Sequence, residues 1–203
     1  MKRNGEKFWD RFAFLYSSLH MRRNRELYRE VEKNALRYLE GNMEVLELAC
    51  GTGELSEALS EHAASWTATD FSPRMIEEAE KKSSGRVKYE VADGTDLPYG
   101  DSSFDAVFIA NALHVVPEPS RILSEVRRCL KPHGLLIAPN FVYEGKVNKT
   151  RLWLMARAGF VTYRKWTVES YRDYLEGEGF IAEESVLIPG KLLPECFVAL
   201  RLN

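Results

Sequence analysis

Residues 45–55 read VLELACGTGEL. An apolar run of strand length stops at Ala49-Cys50-Gly51-Thr52-Gly53, and an amphipathic run begins at once. Glycine reaches positive φ without strain and lets a ligand come close to the backbone. A strand, a glycine turn and a helix N-terminus in succession present unpaired N–H groups at the edge of a sheet. The stretch therefore predicts a binding loop for something small and polar.

Outward from this loop, two periods alternate along the chain. Leu27, Val31, Ala35 and Leu39 fall at helical spacing over residues 26–39, and Gly41 stops them. A strand over 44–48 follows, then a helix over 55–63 and a second strand at 66–70. Ser72-Pro73 reads as an N-cap with proline at N1, opening a helix through Lys82. Residues 87–93 alternate as a third strand. FDAVFIAN, 104–111, is apolar almost throughout, as a parallel strand covered on both faces should be. A helix over 120–130 ends at Lys131-Pro132, and 135–141 forms a fifth strand. Residues 142–166 interrupt the rhythm with a basic, aromatic segment. A helix over 167–179 and strands at about 180–188 and 195–202 complete the chain. Only a short GKLLP link separates the last two strands, so they should pair antiparallel. The expectation is an α/β fold with a doubly wound, Rossmann-like sheet of seven strands, mostly parallel, in one domain over 1–203. Ligands of such sheets bind outside the C-terminal ends of the strands.

The 203 residues suit a single domain, and the net charge of −2 offers no general attraction to nucleic acid. Cys50, Cys129 and Cys196 are odd in number and widely spaced, which fits reduced thiols in a cytoplasmic protein and argues against a metal site. No apolar run reaches membrane-spanning length, and the charged start MKRNGEKFWDRF lacks the apolar core of a secretion signal.

Two ligands compete for the loop. In the dinucleotide fingerprint G-x-G-x-x-G the pyrophosphate rests on the helix N-terminus. Here Gly51-x-Gly53 continues to Ser56, so the third glycine is missing, and Glu54 sets a carboxylate where a phosphate would lie. Glu47-x-Ala49-x-Gly51-x-Gly53 instead resembles motif I of the class I S-adenosylmethionine-dependent methyltransferases. Asp70-Phe71 after the second strand, Asp93-Gly94-Thr95 after the third, DSSFDAVFIANALHVVPEP at 101–119 and LKPHGLLIAPNF at 130–141 are similar to the later motifs of that family, with His133 where glycine is usual. The subgroup most similar is the small-molecule enzymes resembling ubiquinone/menaquinone-biosynthesis methyltransferases. The resemblance implies S-adenosyl-L-methionine as cofactor, Asp70 on the ribose hydroxyls and Asp93 on the adenine amino group. Glu47, Ala49, Gly51, Gly53, Phe71, Gly94 and Thr95 would complete the cofactor site, with Asn111 at the end of the fourth strand as a cofactor or acceptor contact. Trp9-Asp10-x-x-Ala13-x-x-Tyr16 is similar to the subgroup's opening helix. Tyr16 would then close the methionine end, unless it is one aromatic of a Phe8/Phe12/Leu15/Tyr16 packing stripe. The residue chemistry points the same way, since a cationic, phosphate-free nucleoside needs acceptors, and carboxylates supply them. Asp70 also suits a plain turn.

Methyl transfer from a sulfonium is an in-line displacement, so holding the reactants in line is the main task. A base is needed only when the acceptor must lose a proton, and His114 is a weak candidate for it. The Asn-Pro-Pro-Tyr type of sequence used on nucleobase amines is absent after the fourth strand, where Ala110-Asn111-Ala112-Leu113 stands. A small-molecule acceptor is therefore expected, with a non-catalytic S-adenosylmethionine-binding module, or less favourably an NAD-dependent oxidoreductase, as alternatives. Residues 1–25 and 142–166 each carry a net charge of +5, against −12 for the remainder. By the resemblance these segments cover the acceptor side. Basic segments with apolar residues such as Leu152, Trp153, Phe160 and Trp166 suit an amphiphilic acceptor or contact with an anionic membrane, or equally a solvated cover over a core.

Overall fold

In the computed structural model, residues 21–145, 157, 161–191 and 193–203 are described. The elements are α1 (Met21–Ala35), β1 (Glu44–Leu48), α2 (Glu54–Leu59), β2 (Ser65–Asp70), α3 (Pro73–Glu80), β3 (Val87–Val91), β4 (Phe104–Ile109), α4 (Pro119–Cys129), β5 (Leu130–Ile137), β6 (Asn140–Phe141), α5 (Val168–Gly177), β7 (Phe180–Ile188) and β8 (Glu195–Leu202). The sheet runs β3-β2-β1-β4-β5-β8-β6, with β7 on the other side of β8. β1 to β5 are parallel, and β8 is antiparallel to β5, β6 and β7. The strand order reverses between β1 and β4, which makes the C-terminal ends of those two strands the switch point of the sheet.

Alternation along each strand feeds two cores. Leu46 and Leu48 of β1 point with Val107, Ile109 and Leu136 toward α4 and α5, where Leu123, Val126, Tyr171 and Leu175 meet them. Val45 points the other way with Ala106, Phe108, Leu135 and Phe197, onto Leu27, Val31 and Ala35 of α1 and Leu55 and Leu59 of α2. Burying such side chains stabilises the fold by about 1.5–3 kcal/mol each, which is why strands covered on both faces read as continuous apolar runs. Ser72 caps α3 through its hydroxyl, which accepts from the Met75 N–H, with Pro73 at the first helical position.

The structure departs from the sequence expectation at two places. The sheet has eight strands because the expected fifth strand, 135–141, is broken at Pro139, which has no N–H to give the ladder. The chain nevertheless keeps its course along β8, with Ala138 N donating to Val198 O and β6 pairing Asn140 with Cys196. The first helix ends at Ala35 rather than near Leu39, because Arg37 N and Tyr38 N turn to the carbonyls three residues back. Of the two expected covers, residues 1–20, 146–156 and 158–160 lie outside the described residues. The ends of the second are tied down, Tyr143 N donating to Trp166 O at 2.7 Å. Trp166 takes the core-covering alternative of that segment. It is buried, 5.1 Å from the rings of Tyr171 and Tyr174.

A bulge within β5, where its register against β4 shifts between Leu130 and Leu135, separates two neighbouring residues by physics. His133 holds the left-handed φ of 58° that glycine would adopt freely. Gly134 has no such φ, yet a Cβ there would lie 2.8 Å from Lys131 O and 2.9 Å from Leu130 Cδ2. Substitutions at the two positions should therefore have opposite signs. Gly134→Ala is expected to cost about 2 kcal/mol through overpacking against backbone. His133→Gly should be neutral or stabilise by about 0.5 kcal/mol, strain relief slightly exceeding the entropy of glycine. Urea denaturation of both variants checks the pair.

Candidate functional site at the switch point

The loop after β1 is built from left-handed residues. Ala49, Gly51 and Gly53 have φ of 56°, 57° and 79°. This corkscrew turns the chain from strand to helix within five residues and aims the Gly51 N–H at the end of β2. There Asp70 Oδ2 accepts it at 3.0 Å, while Oδ1 accepts the Ser72 N–H at 2.9 Å. Asp70 thus closes β2, steadies the glycine loop and opens α3, and a carboxylate can accept about four bonds in all. Cys50 N donates to Thr69 O, so the β1–β2 ladder continues into the loop.

The two glycines differ in what surrounds them. A Cβ on Gly51 would meet nothing within 4 Å, so space opens in front of its backbone. A Cβ on Gly53 would lie 2.3 Å from the Tyr89 hydroxyl and 3.1 Å from Ala79 Cβ. Gly51 is the position a ligand can approach, whereas Gly53 lets α2 pack on β3. Tyr89 was not legible as its partner, because the contact is formed across two strands.

Around this loop the other predicted residues gather at the same edge. Phe71, 38 % exposed, follows Asp70. Asp93 Oδ1 accepts from both the N–H and the hydroxyl of Thr95, holding the Asp93-Gly94-Thr95 turn after β3. Gly94 would admit a Cβ at ordinary contact distance from Ile122, so packing does not demand glycine there. Asn111, after β4, adopts φ 54°, and its N–H donates to Pro139 O. Leu48 pairs with Ile109, so the chain leaves β1 and β4 side by side. Tyr16 lies outside the described residues.

Glu47 and His114 are set back from this edge. The Glu47 side chain is buried and accepts the Trp66 indole N–H at 2.7 Å. Burial, aided by the charges of Glu54 and Asp70 and opposed by the Trp66 bond, raises its carboxyl to about 7. His114 is 2 % exposed, with Nδ1 2.8 Å from Asn140 Oδ1 and Phe141 edge-on to the ring. Burial lowers the imidazole to about 4, with the Asn140 bond opposing, so the ring is neutral at physiological pH. Its carbonyl accepts the N–H groups of Tyr163 and Arg164, which makes this turn an anchor for the segment that returns from the second cover. Glu54 is less of a barrier to anions than its sequence position implies, because Lys82 lies 3.2 Å from it.

One site residue gave no signal in the sequence reading. Glu195, the first residue of β8, is 1 % exposed and accepts from Asn111 Nδ2 at 3.1 Å. A lone glutamate opening the apolar run CFVAL is the mark that could have drawn attention to it. Among the described residues, no group of three or more His, Cys, Asp or Glu is placed to hold a metal ion, and no helix is long and apolar enough to cross a membrane.

The family described as "Methyltransferase domain" matches residues 46–138, which run from within β1 to the end of β5, with β6 and β8 beyond the match. Over residues 46–138 the chain is similar to a methyltransferase domain. The chain is 41 % identical over 120 residues to a demethylmenaquinone methyltransferase of Clavibacter sepedonicus, covering 58 % of this chain and 49 % of that one. It is 37 % identical over 113 residues to the ubiquinone/menaquinone biosynthesis C-methyltransferase UbiE of Desulfotalea psychrophila, covering 51 % and 46 %. The chain spans about half the length of the curated relatives it matches. In fold it is similar to a solved S-adenosylmethionine-dependent methyltransferase of Methanosarcina mazei, with a TM-score of 0.68 at 21 % identity over 83 % of this chain and 96 % of that one. S-adenosylmethionine is the cofactor of this class of domain. The residues present fit it: the space before Gly51 admits a ligand, and the edge around it is rich in carboxylates, as a cationic ligand without phosphate requires.

The glycine loop and its buried neighbour Glu47 yield two predictions. Gly53→Ala should destabilise the ligand-free protein by about 2–3 kcal/mol through overpacking and strain, with partial rescue by Tyr89→Leu. Gly51→Ala should cost only about 1 kcal/mol of stability, from its φ alone, while cofactor affinity falls steeply. Urea denaturation beside titration calorimetry separates the two. The second prediction concerns Glu47. Its folded carboxyl is raised, so the folded state holds the proton more tightly than the unfolded chain. That stability is complete below pH 4.5 and is lost as pH rises through about 7. Glu47→Gln keeps an acceptor for Trp66 but cannot titrate. The variant should therefore gain on the wild type by up to about 3 kcal/mol between pH 5 and 8. An unchanged difference across that range rejects the assignment.

Proposed function

We propose that the protein transfers the methyl group of S-adenosylmethionine to a ring carbon or oxygen of a small, amphiphilic, hydroxylated acceptor of the hydroquinone type. The observation that carries this reading is the left-handed loop with open space before Gly51, locked by Asp70 at the switch point of the sheet. The acceptor class is suggested by the relatives named for demethylmenaquinone and for ubiquinone/menaquinone biosynthesis.

When bound, the cofactor supplies an electrophilic methyl on a sulfonium. The protein's own part is to hold and exclude. The Gly51 backbone gives a surface with no side chain in the way. Asp70 and Asp93 offer acceptors on one edge, proposed for ribose and adenine respectively, with Phe71, Gly94 and Thr95 beside them. Ala49, Gly53 and Glu47 shape the loop from behind. His114, neutral and pinned by Asn140, is better suited to fixing the turn after β4 than to taking a proton. The basic character of residues 1–25 and 142–166 supports an approach to an anionic membrane surface, where an amphiphilic acceptor would reside.

The test has two stages. S-adenosylmethionine and S-adenosylhomocysteine should raise the melting temperature of the full chain, and NAD should not. A short-chain 2-prenyl-1,4-naphthoquinol presented in vesicles should then release S-adenosylhomocysteine, faster from anionic than from neutral vesicles and with a steep loss in salt. Stabilisation by NAD rejects the methyltransferase reading. Turnover without vesicle preference rejects the membrane approach alone.

A further inference from the structure

Two buried oxygen atoms at the switch-point edge have no hydrogen-bond partner among the described residues, Asn111 Oδ1 and Glu195 Oε2. They belong to residues that are already joined, Asn111 Nδ2 to Glu195 Oε1. Nothing in the fold calls for a carboxyl at this place. Glu195 lies opposite Phe141 and Ile188 in the ladder, and the residues that follow it through Leu200 are apolar and buried. An incompletely bonded buried carboxyl costs stability, and such groups gather where a ligand completes them. The position is also the right one. Asn111 borders the glycine loop, because β1 and β4 end side by side, and it reaches across to β8 through Glu195. In-line transfer sets the acceptor beyond the methyl group, at this same edge.

We propose that Asn111 and Glu195 form the acceptor subsite, a carboxyl–carboxamide pair that reads one ring hydroxyl of a phenol or hydroquinone. The inference rests on the methyl-transfer reading above. Burial, opposed by the Asn111 bond, raises the Glu195 carboxyl to about 8, so at neutral pH the pair presents one O–H donor and one amide acceptor. A single hydroxyl complements both. In the ionised fraction the Glu195 carboxylate takes the hydroxyl proton. The ring carbon beside that oxygen then gains the methyl, its C–C bond forming as the carbon–sulfur bond breaks and the electron pair leaves with sulfur. The ring carbon loses its own proton to water, Glu195 returns its proton to the ring oxygen, and aromaticity is restored. Overall one methyl cation is exchanged for one proton.

The experiment uses the full chain loaded with S-adenosylhomocysteine and two probes, 1-naphthol and 1-methoxynaphthalene, titrated by calorimetry. The wild type should bind the naphthol about tenfold more tightly, the worth of one hydroxyl well bonded in a buried site. Glu195→Leu should abolish that preference and leave S-adenosylhomocysteine affinity unchanged. It should not lower the melting temperature, since it replaces an under-bonded buried carboxyl by an apolar side chain; a structural glutamate would be missed by the fold. Glu195→Gln should keep the preference but lower turnover of 2-prenyl-1,4-naphthoquinol by about a hundredfold, as loss of a base does. Asn111→Gly, which suits φ 54°, should also lose the preference and serves if the leucine variant does not fold. Equal or absent binding of both probes to the wild type, or a preference that survives in Glu195→Leu or Asn111→Gly, overturns the subsite. Discrimination between the probes without naphthoquinol turnover overturns the acceptor reading and leaves the subsite standing. Turnover by Glu195→Gln at the wild-type rate removes the proton transfer, and with it the proposal.

Discussion

One carboxylate holds the end of β2, the glycine loop after β1 and the start of α3 in a single arrangement. Asp70 accepts the Gly51 N–H with one oxygen and the Ser72 N–H with the other. Each charge-assisted bond of this kind contributes about 1.5–3 kcal/mol, enough to hold a loop whose backbone sits in the left-handed region at Ala49, Gly51 and Gly53. The loop can stay open in front of Gly51 because it is fixed from behind. A mobile loop would have to be ordered by the ligand at the expense of affinity. Pre-organisation by Asp70 removes that cost, and every other feature of the edge is placed relative to it.

The electrostatics of the edge follow from the same geometry. Glu47 and Glu195 are both buried, and both have carboxyls raised by desolvation. They differ in their partners. Glu47 has the Trp66 N–H and lies behind the loop, so it shapes the site from within β1. Among the described residues Glu195 has Asn111 as its hydrogen-bond partner and one oxygen left over. Two carboxyls of one chain thus divide by surroundings into a structural member and a reactive one, as paired acids do when their environments differ.

The sequence made the parallel half of the sheet legible because its strands mostly alternate with helices, the loop from β3 to β4 apart, and end in turn residues. Asp70 and Gly51 stood out because they fall together at strand ends in register with Asp93, and the structure brings Asp70 against the Gly51 N–H. Less legible were the space that Gly53 makes for Tyr89 on β3, two strands away, and the aromatic core around Trp166. The Gly53–Tyr89 contact joins residues far apart in the chain, whereas Trp166 is packed against near neighbours, Tyr171 and Tyr174. Pro139 divided a strand that apolar pattern alone made continuous, and Glu195 went unnoticed because a single glutamate in a strand reads as a solvent-facing residue.

That last misreading has a physical explanation that also locates the chemistry of the chain. Residues 46–138, which match the methyltransferase family, supply the loop, Asp70, Asp93 and Asn111. β8 lies beyond that match and brings Glu195 against Asn111 by antiparallel pairing with β5 and β6. Asn111 therefore stands at a seam, with its backbone fixed by Pro139 and its amide turned toward a residue that only the C-terminal strand can deliver. A cofactor edge common to many enzymes can thus be given its own acceptor chemistry by changing one residue at the start of β8. The register of that strand, which pairs Glu195 with Phe141 and Cys196 with Asn140, decides which side chain arrives there. A slip of one residue would present the Cys196 thiol in place of the carboxyl, since neighbouring side chains on a strand face opposite ways.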